Sequence, residues 1–290
     1  MTLNTCEAYM QTIRQAYPDL RFTTARLNTQ GQNNHVLILD GQTIFRFPKY
    51  PHLVEGLKIE VDILRGARAY LPLPIPNPEF LHLEAQAFLG YRRLPGVPLQ
   101  RAVFQEIKNE KTLDGLANQL AGFLKALHNL PARQAIQREL PLYETRQEYQ
   151  DMFARTQEKL FSFMRPDARQ WATNHFETFL GKASNFEYYP VLRHGDFGTS
   201  NLLFDAKRQR ITGVVDFSST GLGDPAVDFA GLLSSYGEGF LMRCVRTYPE
   251  LEGLLPRVRF FRGVFALEEA LFGIENGDME AFRAGISDYI

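Results

Sequence analysis

The spacing of apolar residues divides the chain into a front part with short strands and a longer part with helices. Between residues 6 and 17 apolar side chains recur at helical spacing and stop before Pro18, which predicts an amphipathic opening helix. Residues 54–70 carry a second helical stripe. Short β-prone runs separated by turn residues stand on either side of it, at residues 22–27, 35–39, 43–47, 80–83 and 87–91. The pattern predicts a small sheet with one main helix.

The rest of the chain is dominated by helical spacing. Pro95 and Gly96 mark a break, after which strand signals are lost for nearly a hundred residues. Helical patterns cover residues 113–128, 143–186 and 239 onward, and two apolar runs around residues 202–215 read as a hairpin. We therefore predict an α+β protein with a first domain at residues 1–94 and a second, mostly helical domain at residues 95–290.

Composition narrows the class of protein. The 290 residues carry a formal net charge of −1, which argues against nucleic acid or an anionic membrane as partner. Cys6 and Cys244 are too far apart, and too distant from histidines in metal spacing, to indicate a disulfide framework or a zinc site. No basic start followed by an apolar run and no membrane-length apolar stretch is found. We expect a soluble, cytoplasmic monomer.

Three polar residues suggest phosphoryl transfer. Asp196 and Asn201 are five residues apart in a polar loop, and Asp216 follows the apolar run 211–215. A hairpin across residues 202–215 would bring Asn201 and Asp216 to one edge. Phosphoryl transfer needs a group that accepts the proton of the attacking hydroxyl and Mg²⁺ ions held by hard oxygen ligands. Asp196 is thus a candidate base, and Asn201 and Asp216 are candidate Mg²⁺ ligands.

These residues also carry a family resemblance. HGDFGTSN, followed by VVDF and GDPAVDFA, resembles the signature of the aminoglycoside phosphotransferases, relatives of choline kinase and the protein kinases. The resemblance implies a two-lobed protein-kinase-like fold with ATP or GTP at the hinge between a nucleotide-binding lobe and a catalytic, acceptor-binding lobe. It assigns the base to Asp196 and Mg²⁺ to Asn201 and Asp216. The runs IFRFPK, AFLGYRRLPGVPL and LEEALFGIENG are most similar to the 2″-phosphotransferase branch.

The resemblance extends to nucleotide binding in the first domain. Alternation in the run 43–47 puts Phe45 and Phe47 on one face and Arg46 on the other, where the family has a phosphate-binding lysine. Arginine can supply the same charge with different geometry. Glu60 is the matching helix carboxylate, although a surface ion pair would also explain Arg46 and Glu60. Lys49 is a second candidate for the phosphate cation.

Two further segments complete the expected nucleotide site. The loop 27–35, with Gly31, reads from its residues as a plain hairpin turn, whereas the resemblance makes it the flap over the phosphates. The run 88–94 would be the hinge, with Arg92 and Leu94 offering backbone groups to the base and Phe88 and Leu94 packing on its faces. Core packing explains the apolar residues of this run equally well.

The acceptor is the least determined part of the prediction. A polycationic aminoglycoside requires carboxylates, and the second domain offers Glu238, Glu268 and Glu275, of which the last two share a helix face. Solvated helix glutamates are the alternative. SSYGEG after Leu233 also departs from the longer acidic run of the resembling branch. We expect transfer to an aminoglycoside 2″-hydroxyl. One alternative is a kinase of the same family whose acceptor is a macrolide, choline or another small metabolite. The other is a nucleotide-binding protein with little catalytic activity.

Overall fold

The computed structural model describes residues 2–29, 31 and 33–290. The chain forms two compact units. The first unit comprises the residues up to Val103, Leu130–Leu140 and Thr199–Thr220, and the second unit comprises Phe104–Asn129, Pro141–Gly198 and Gly221–Ile290. Among the described residues, no helix combines the length and the apolar composition that crossing a bilayer requires.

The strands are short and most belong to the first unit. In chain order they are β1 Ala25–Asn28, β2 Asn34–Leu39, β3 Thr43–Pro48, β4 Phe80–His82, β5 Phe88–Arg92, β6 Val97–Pro98, β7 Val191–Arg193, β8 Leu202–Asp205, β9 Arg210–Val214 and β10 Gly221–Gly223. The first five form an antiparallel sheet in the order β1-β2-β3-β5-β4. β6, β8 and β9 form a three-stranded sheet, and β7 pairs with β10 in the second unit.

Most of the helices belong to the second unit. They are α1 Thr2–Ala16, α2 Leu53–Ala67, α3 Arg101–Gln105, α4 Glu110–His128, α5 Ala132–Ala135, α6 Arg146–Lys159, α7 Pro166–Leu180, α8 Ala226–Tyr236, α9 Glu238–Arg243, α10 Leu251–Asn276 and α11 Met279–Ile286. Local signals explain several ends. Asn109 caps α4 by accepting a hydrogen bond from the Thr112 N–H, and Thr145 and Glu148 form a capping box at the start of α6.

Alternation in the first sheet separates a hydrophobic face from a polar one. Phe45 and Phe47 of β3 are buried in a cluster with Ile13 of α1, Leu37 of β2 and Phe88 of β5. Their neighbour Arg46 therefore lies on the opposite face of the strand, as the sequence predicts. The first strand is shorter than predicted: residues 22–24 precede it, and the N–H groups of Thr23 and Thr24 bind the Asp40 carboxylate instead of a neighbouring strand.

Candidate active site

A buried ionic cluster lies within the first unit. Arg46 Nη1 donates to Glu60 Oε1 at 2.5 Å, and Nη2 donates to Asp216 Oδ1 at 2.8 Å. Arg46 and Glu60 are 5% and 2% exposed, so this is not a surface ion pair. Burial raises the pKa of the neighbouring Tyr91 to about 12, although the charge of Arg46 opposes the shift. A planar guanidinium can serve partners that lie in different directions, which a single ammonium does less well.

The hairpin of β8 and β9 positions Asn201 and Asp216. Leu202 pairs with Val214, and the Val215 N–H donates to the Asn201 carbonyl at 2.9 Å. This contact holds the residue before Asp216 against Asn201, as the hairpin prediction requires. Asp216 has φ 63°, a left-handed conformation that aspartate adopts more readily than most residues. Its side chain therefore does not follow the alternating directions of the side chains along β9. Ser218 Oγ donates to Asp216 Oδ1 at 2.8 Å.

The chemistry of these two side chains suits Mg²⁺ bound together with phosphate. Mg²⁺ prefers hard oxygen ligands and is usually held by one or two carboxylates, with phosphates and water completing the shell. Asp216, with a side chain 40% exposed, offers a carboxylate, and Asn201 offers an amide oxygen. Within residues 2–29, 31 and 33–290, no group of three or more His, Cys, Asp and Glu side chains would hold a metal by itself. A carboxylate and an amide oxygen are the kind of ligands that suit a metal ion whose shell phosphate and water complete.

A fixed loop in the second unit presents Asp196. Asp228, fully buried near the start of α8, accepts hydrogen bonds from His194 N at 2.9 Å, Gly195 N at 2.8 Å and His128 Nε2 at 3.0 Å. Burial acts to raise the pKa of Asp228, but the hydrogen bond and charge of His128, the charge of His194 and the Gly195 N–H together outweigh it and hold the pKa below its usual value. Gly195 has φ 83°, which a side chain would strain. Asp196 follows directly, and its side chain is exposed. The backbone just before it is held by the Asp228 carboxylate.

A second buried pair supports the strand that leads into this loop. The Arg193 guanidinium donates to Glu144 from Nε at 3.1 Å and from Nη2 at 2.9 Å, and lies over the Tyr143 ring at 4.1 Å. The Asp224 N–H donates to Glu144 Oε2 at 3.2 Å. Burial raises the pKa of Glu144 to about 7, although Arg193 opposes the shift. The carboxyl of Glu144 also reaches a neighbouring cavity.

This cavity, of about 350 Å³, lies within the second unit between α6 and α10. Its walls include four carboxylates and one arginine: Glu144, Glu148, Glu268, Glu275 and Arg155. Three of the four carboxylates already have partners. Glu144 binds Arg193, Glu148 accepts from the Thr145 N–H, and Glu275 binds Arg155 at 3.0 Å and Lys159 at 2.8 Å.

Glu268 is the exception in the cavity. Its side chain is exposed, and among the described residues it makes no hydrogen bond or ion pair. Desolvation by the surrounding protein raises the pKa of Glu268, and the nearby Glu144 carboxylate adds to this effect, while the charges of Arg193 and Arg155 oppose it. A cationic ligand that entered the cavity would meet a Glu268 carboxyl group that has no hydrogen bond or ion pair among the described residues, beside the side chains of Tyr149 and Phe272.

The comparison with known families agrees with this arrangement. A sequence profile of the phosphotransferase enzyme family matches residues 24–261, which is most of the chain. The chain belongs to this family. The membership predicted from HGDFGTSN and GDPAVDFA is confirmed, and the protein is a phosphotransferase.

Proteins similar to the phosphotransferase are named for, or bind, different antibiotics. Viomycin phosphotransferase of Streptomyces vinaceus is 29% identical over 268 residues, 90% of this chain and 91% of that protein. The GDP and kanamycin complex of APH(2″)-IIIa matches with a TM-score of 0.89 at 24% identity, over 97% of this chain and 96% of that one. Macrolide 2′-phosphotransferase MphH from Brachybacterium faecium matches with a TM-score of 0.73 at 19% identity, over 99% and 98%. The predicted kinase-like α+β fold is confirmed.

Lys49, predicted as a second phosphate cation of the phosphotransferase, contacts the predicted flap. Lys49 Nζ donates to the Thr29 carbonyl at 3.0 Å, and Lys49 N donates to the Asn33 carbonyl, so Lys49 contacts both ends of the loop around Gly31. Residues 30 and 32 of that predicted flap lie outside the described residues.

The predicted hinge divides into a core part and an exposed part. Phe88 is fully buried in the aromatic cluster of the first sheet, which matches the core alternative for this residue. Arg92 and Leu94 line a cavity of about 340 Å³ within the first unit, together with Gly41 and Gln42. The predicted packing of Phe88 on a base is therefore wrong, because its ring lies in the core, while the roles of Arg92 and Leu94 stay predictions.

The predicted acceptor residues are only partly brought together. Glu268 and Glu275 line the same cavity, as their spacing on α10 predicts. Glu238 is exposed at the start of α9, where its carboxylate pairs with Arg259 at 2.8 Å, and it does not line that cavity. Sequence reasoning missed Glu144 and Tyr91 altogether. Each lies far along the chain from its arginine partner, in a run whose pattern gives no sign of a buried polar contact.

Proposed function

We propose that the phosphotransferase transfers the γ-phosphate of ATP or GTP to a hydroxyl of a polycationic small molecule, with an aminoglycoside 2″-hydroxyl as the first candidate. The observation that carries the proposal is an exposed Asp196 on a loop whose backbone is held by the buried Asp228 carboxylate. A catalytic base must reach its substrate and yet be held in position. Asp196 meets both conditions.

Asp196 accepts the proton of the attacking hydroxyl in this proposal. Asn201 and Asp216 hold Mg²⁺, which when bound neutralises charge on the phosphates. Arg46 and Glu60 belong to the nucleotide-binding machinery, while Lys49 and Gly31 belong to the flap. Support for a nucleotide donor comes from neighbouring structures whose ligands are GDP, ADP or ATP. The intact set Asp196, Asn201 and Asp216 argues against a nucleotide-binding protein without catalysis.

The α6–α10 cavity is the proposed acceptor site. Glu268, which has no hydrogen bond or ion pair among the described residues, favours a cation, and the aromatic and aliphatic side chains of the cavity accommodate a ring. A macrolide or another weakly charged acceptor would make little use of Glu268. Viomycin is a second candidate, because viomycin phosphotransferase matches this chain with higher identity than the kanamycin-bound neighbour does. We further propose that the protein works as a cytoplasmic monomer.

The test is a phosphate-transfer screen with purified protein. Aminoglycosides, viomycin, macrolides and choline are each offered with ATP and with GTP, and the phosphorylated product is located by NMR. We expect transfer to a polycationic acceptor. Asp196→Asn should lower kcat by roughly 10²- to 10⁴-fold with little change in nucleotide affinity, while the exposed Asp288→Asn serves as control. Absence of transfer to every acceptor, or full turnover by Asp196→Asn when chemistry limits the rate, would contradict the proposal.

A further inference from the structure

The contacts of Arg46 exceed what holding a phosphate requires. Its side chain is 6% exposed and bonds to Glu60 and to Asp216. The two nitrogens at the end of the fork bind two different carboxylates, one from α2 and one from the turn after β9. Arg46 thus links the main helix of the first unit to the turn that carries the proposed metal ligand.

Arg46 and a metal ion would compete for the same carboxylate. Asp216 Oδ1 accepts hydrogen bonds from Arg46 Nη2 at 2.8 Å and from Ser218 Oγ at 2.8 Å. A cation that binds Asp216 must share or displace this guanidinium, and the two positive charges repel each other at short range. Arg46 is therefore a counterion for Asp216 that the protein itself supplies.

We propose that Arg46 is a positioning residue that acts as an exchangeable counterion, so that the protein binds Mg²⁺ weakly by itself and accepts it together with a nucleotide polyphosphate. Asp216 then exchanges Arg46 for the metal, and Arg46 exchanges Asp216 for a phosphate oxygen while Glu60 keeps it in place. Charge stays balanced on both sides of the exchange. The inference rests on the proposed role of Asp216 as a metal ligand.

Binding of Mn²⁺ alone to nucleotide-free protein tests the proposal without measuring activity. Mn²⁺ takes the same oxygen ligands as Mg²⁺, and electron paramagnetic resonance measures the unbound ion. Arg46→Gln removes the competing charge and should tighten Mn²⁺ binding by about tenfold or more. Glu60→Gln leaves Arg46 with Asp216 as its remaining carboxylate partner and should weaken Mn²⁺ binding. A merely structural role of Arg46 would weaken binding in both variants.

Three further measurements make the outcome decisive. Arg65→Gln, an exposed arginine on the same helix as Glu60, controls for loss of a positive charge and should leave Mn²⁺ binding unchanged. Asp216→Asn should abolish binding; if it does not, the metal assignment fails and the inference fails with it. If Asp216→Asn abolishes binding but Arg46→Gln does not tighten it, the counterion role alone is refuted. Should circular dichroism show that Arg46→Gln is unfolded, unchanged or tighter binding in Glu60→Gln refutes it.

Discussion

Replacing Asp228 by asparagine tests how the catalytic loop is held. The carboxylate accepts hydrogen bonds from two successive backbone N–H groups, of His194 and Gly195, and from His128. Asparagine has nearly the same shape but only one acceptor oxygen, and its amide nitrogen would face a donor. We expect Asp228→Asn to lose turnover because the backbone of Asp196 shifts, while Asp196 itself is unchanged.

The size of the effect follows from burial. Asp228 is fully buried, and hydrogen bonds to a charged group contribute about 1.5–3 kcal/mol each, so losing one bond and weakening another costs about 3 kcal/mol of unfolding free energy. Proteins of about 150–250 residues lose about 2–4 °C in Tm for each kcal/mol and larger chains lose less, so Tm should fall by at most about 6–12 °C. A displacement of the base by about 1 Å would lower kcat about 10²-fold.

Urea unfolding and steady-state kinetics measure these two effects separately. Asp114→Asn is the matched control, since that carboxylate forms a partly exposed pair with Arg243 and should change stability by at most about 1 kcal/mol. The lowered pKa of Asp228 means that its stabilisation is present above the ordinary value of 3.8 and is lost as the pH falls through the folded value. The stability gap between wild type and variant should therefore close in acid. Equal stability at neutral pH, or unchanged kcat, would refute the anchoring role.

Three further predictions concern the second unit. Glu268→Gln should raise KM for a polycationic acceptor about tenfold without changing KM for nucleotide, whereas Glu275→Gln, whose carboxylate already binds Arg155 and Lys159, should change it less; equal effects in steady-state kinetics would exclude Glu268 as the cationic contact. Gly223→Ala should destabilise by about 3 kcal/mol in urea, because a Cβ would overlap the Glu144 carboxylate; wild-type stability would contradict this steric overlap. The pKa of Glu144 is about 7 in the folded protein and 4.5 ordinarily, so its contribution to the free energy of unfolding should fall by about 3 kcal/mol as the pH rises from below 4.5 to above 7. Glu144→Gln should lack this pH dependence of stability, and equal pH dependence in wild type and variant would disprove the shift.

Local patterns predicted the parts of the site that local rules determine. Alternation placed Arg46 opposite Phe45, and paired apolar runs predicted the hairpin that holds Asn201 beside the residue before Asp216. Helical spacing predicted that Glu268 and Glu275 share a face of α10. In each case the period of the secondary structure fixes which side chains lie together.

Contacts between distant segments could not be predicted in this way. Glu144 and Arg193 are 49 residues apart, and no sequence period relates a helix start to a strand. The bridging of Glu60 and Asp216 by Arg46 depends on a left-handed turn at Asp216, which aspartate permits but does not dictate. β6 was not predicted because it has only two residues, one of which is a proline that cannot donate a strand hydrogen bond.

The glycines of β10 have a consequence for how the range of acceptors can change. Gly221 and Gly223 leave room for Tyr143 and Glu144, so the chain entering α6 lies against the strand that pairs with β7. Because β7 leads into the loop of Asp196, changes in the first turn of α6 would disturb the strand pair that supports this loop. Met152 and Arg155, two to three turns further along, line the cavity without that constraint. New acceptor specificities should therefore arise through substitutions late in α6, while its beginning stays fixed.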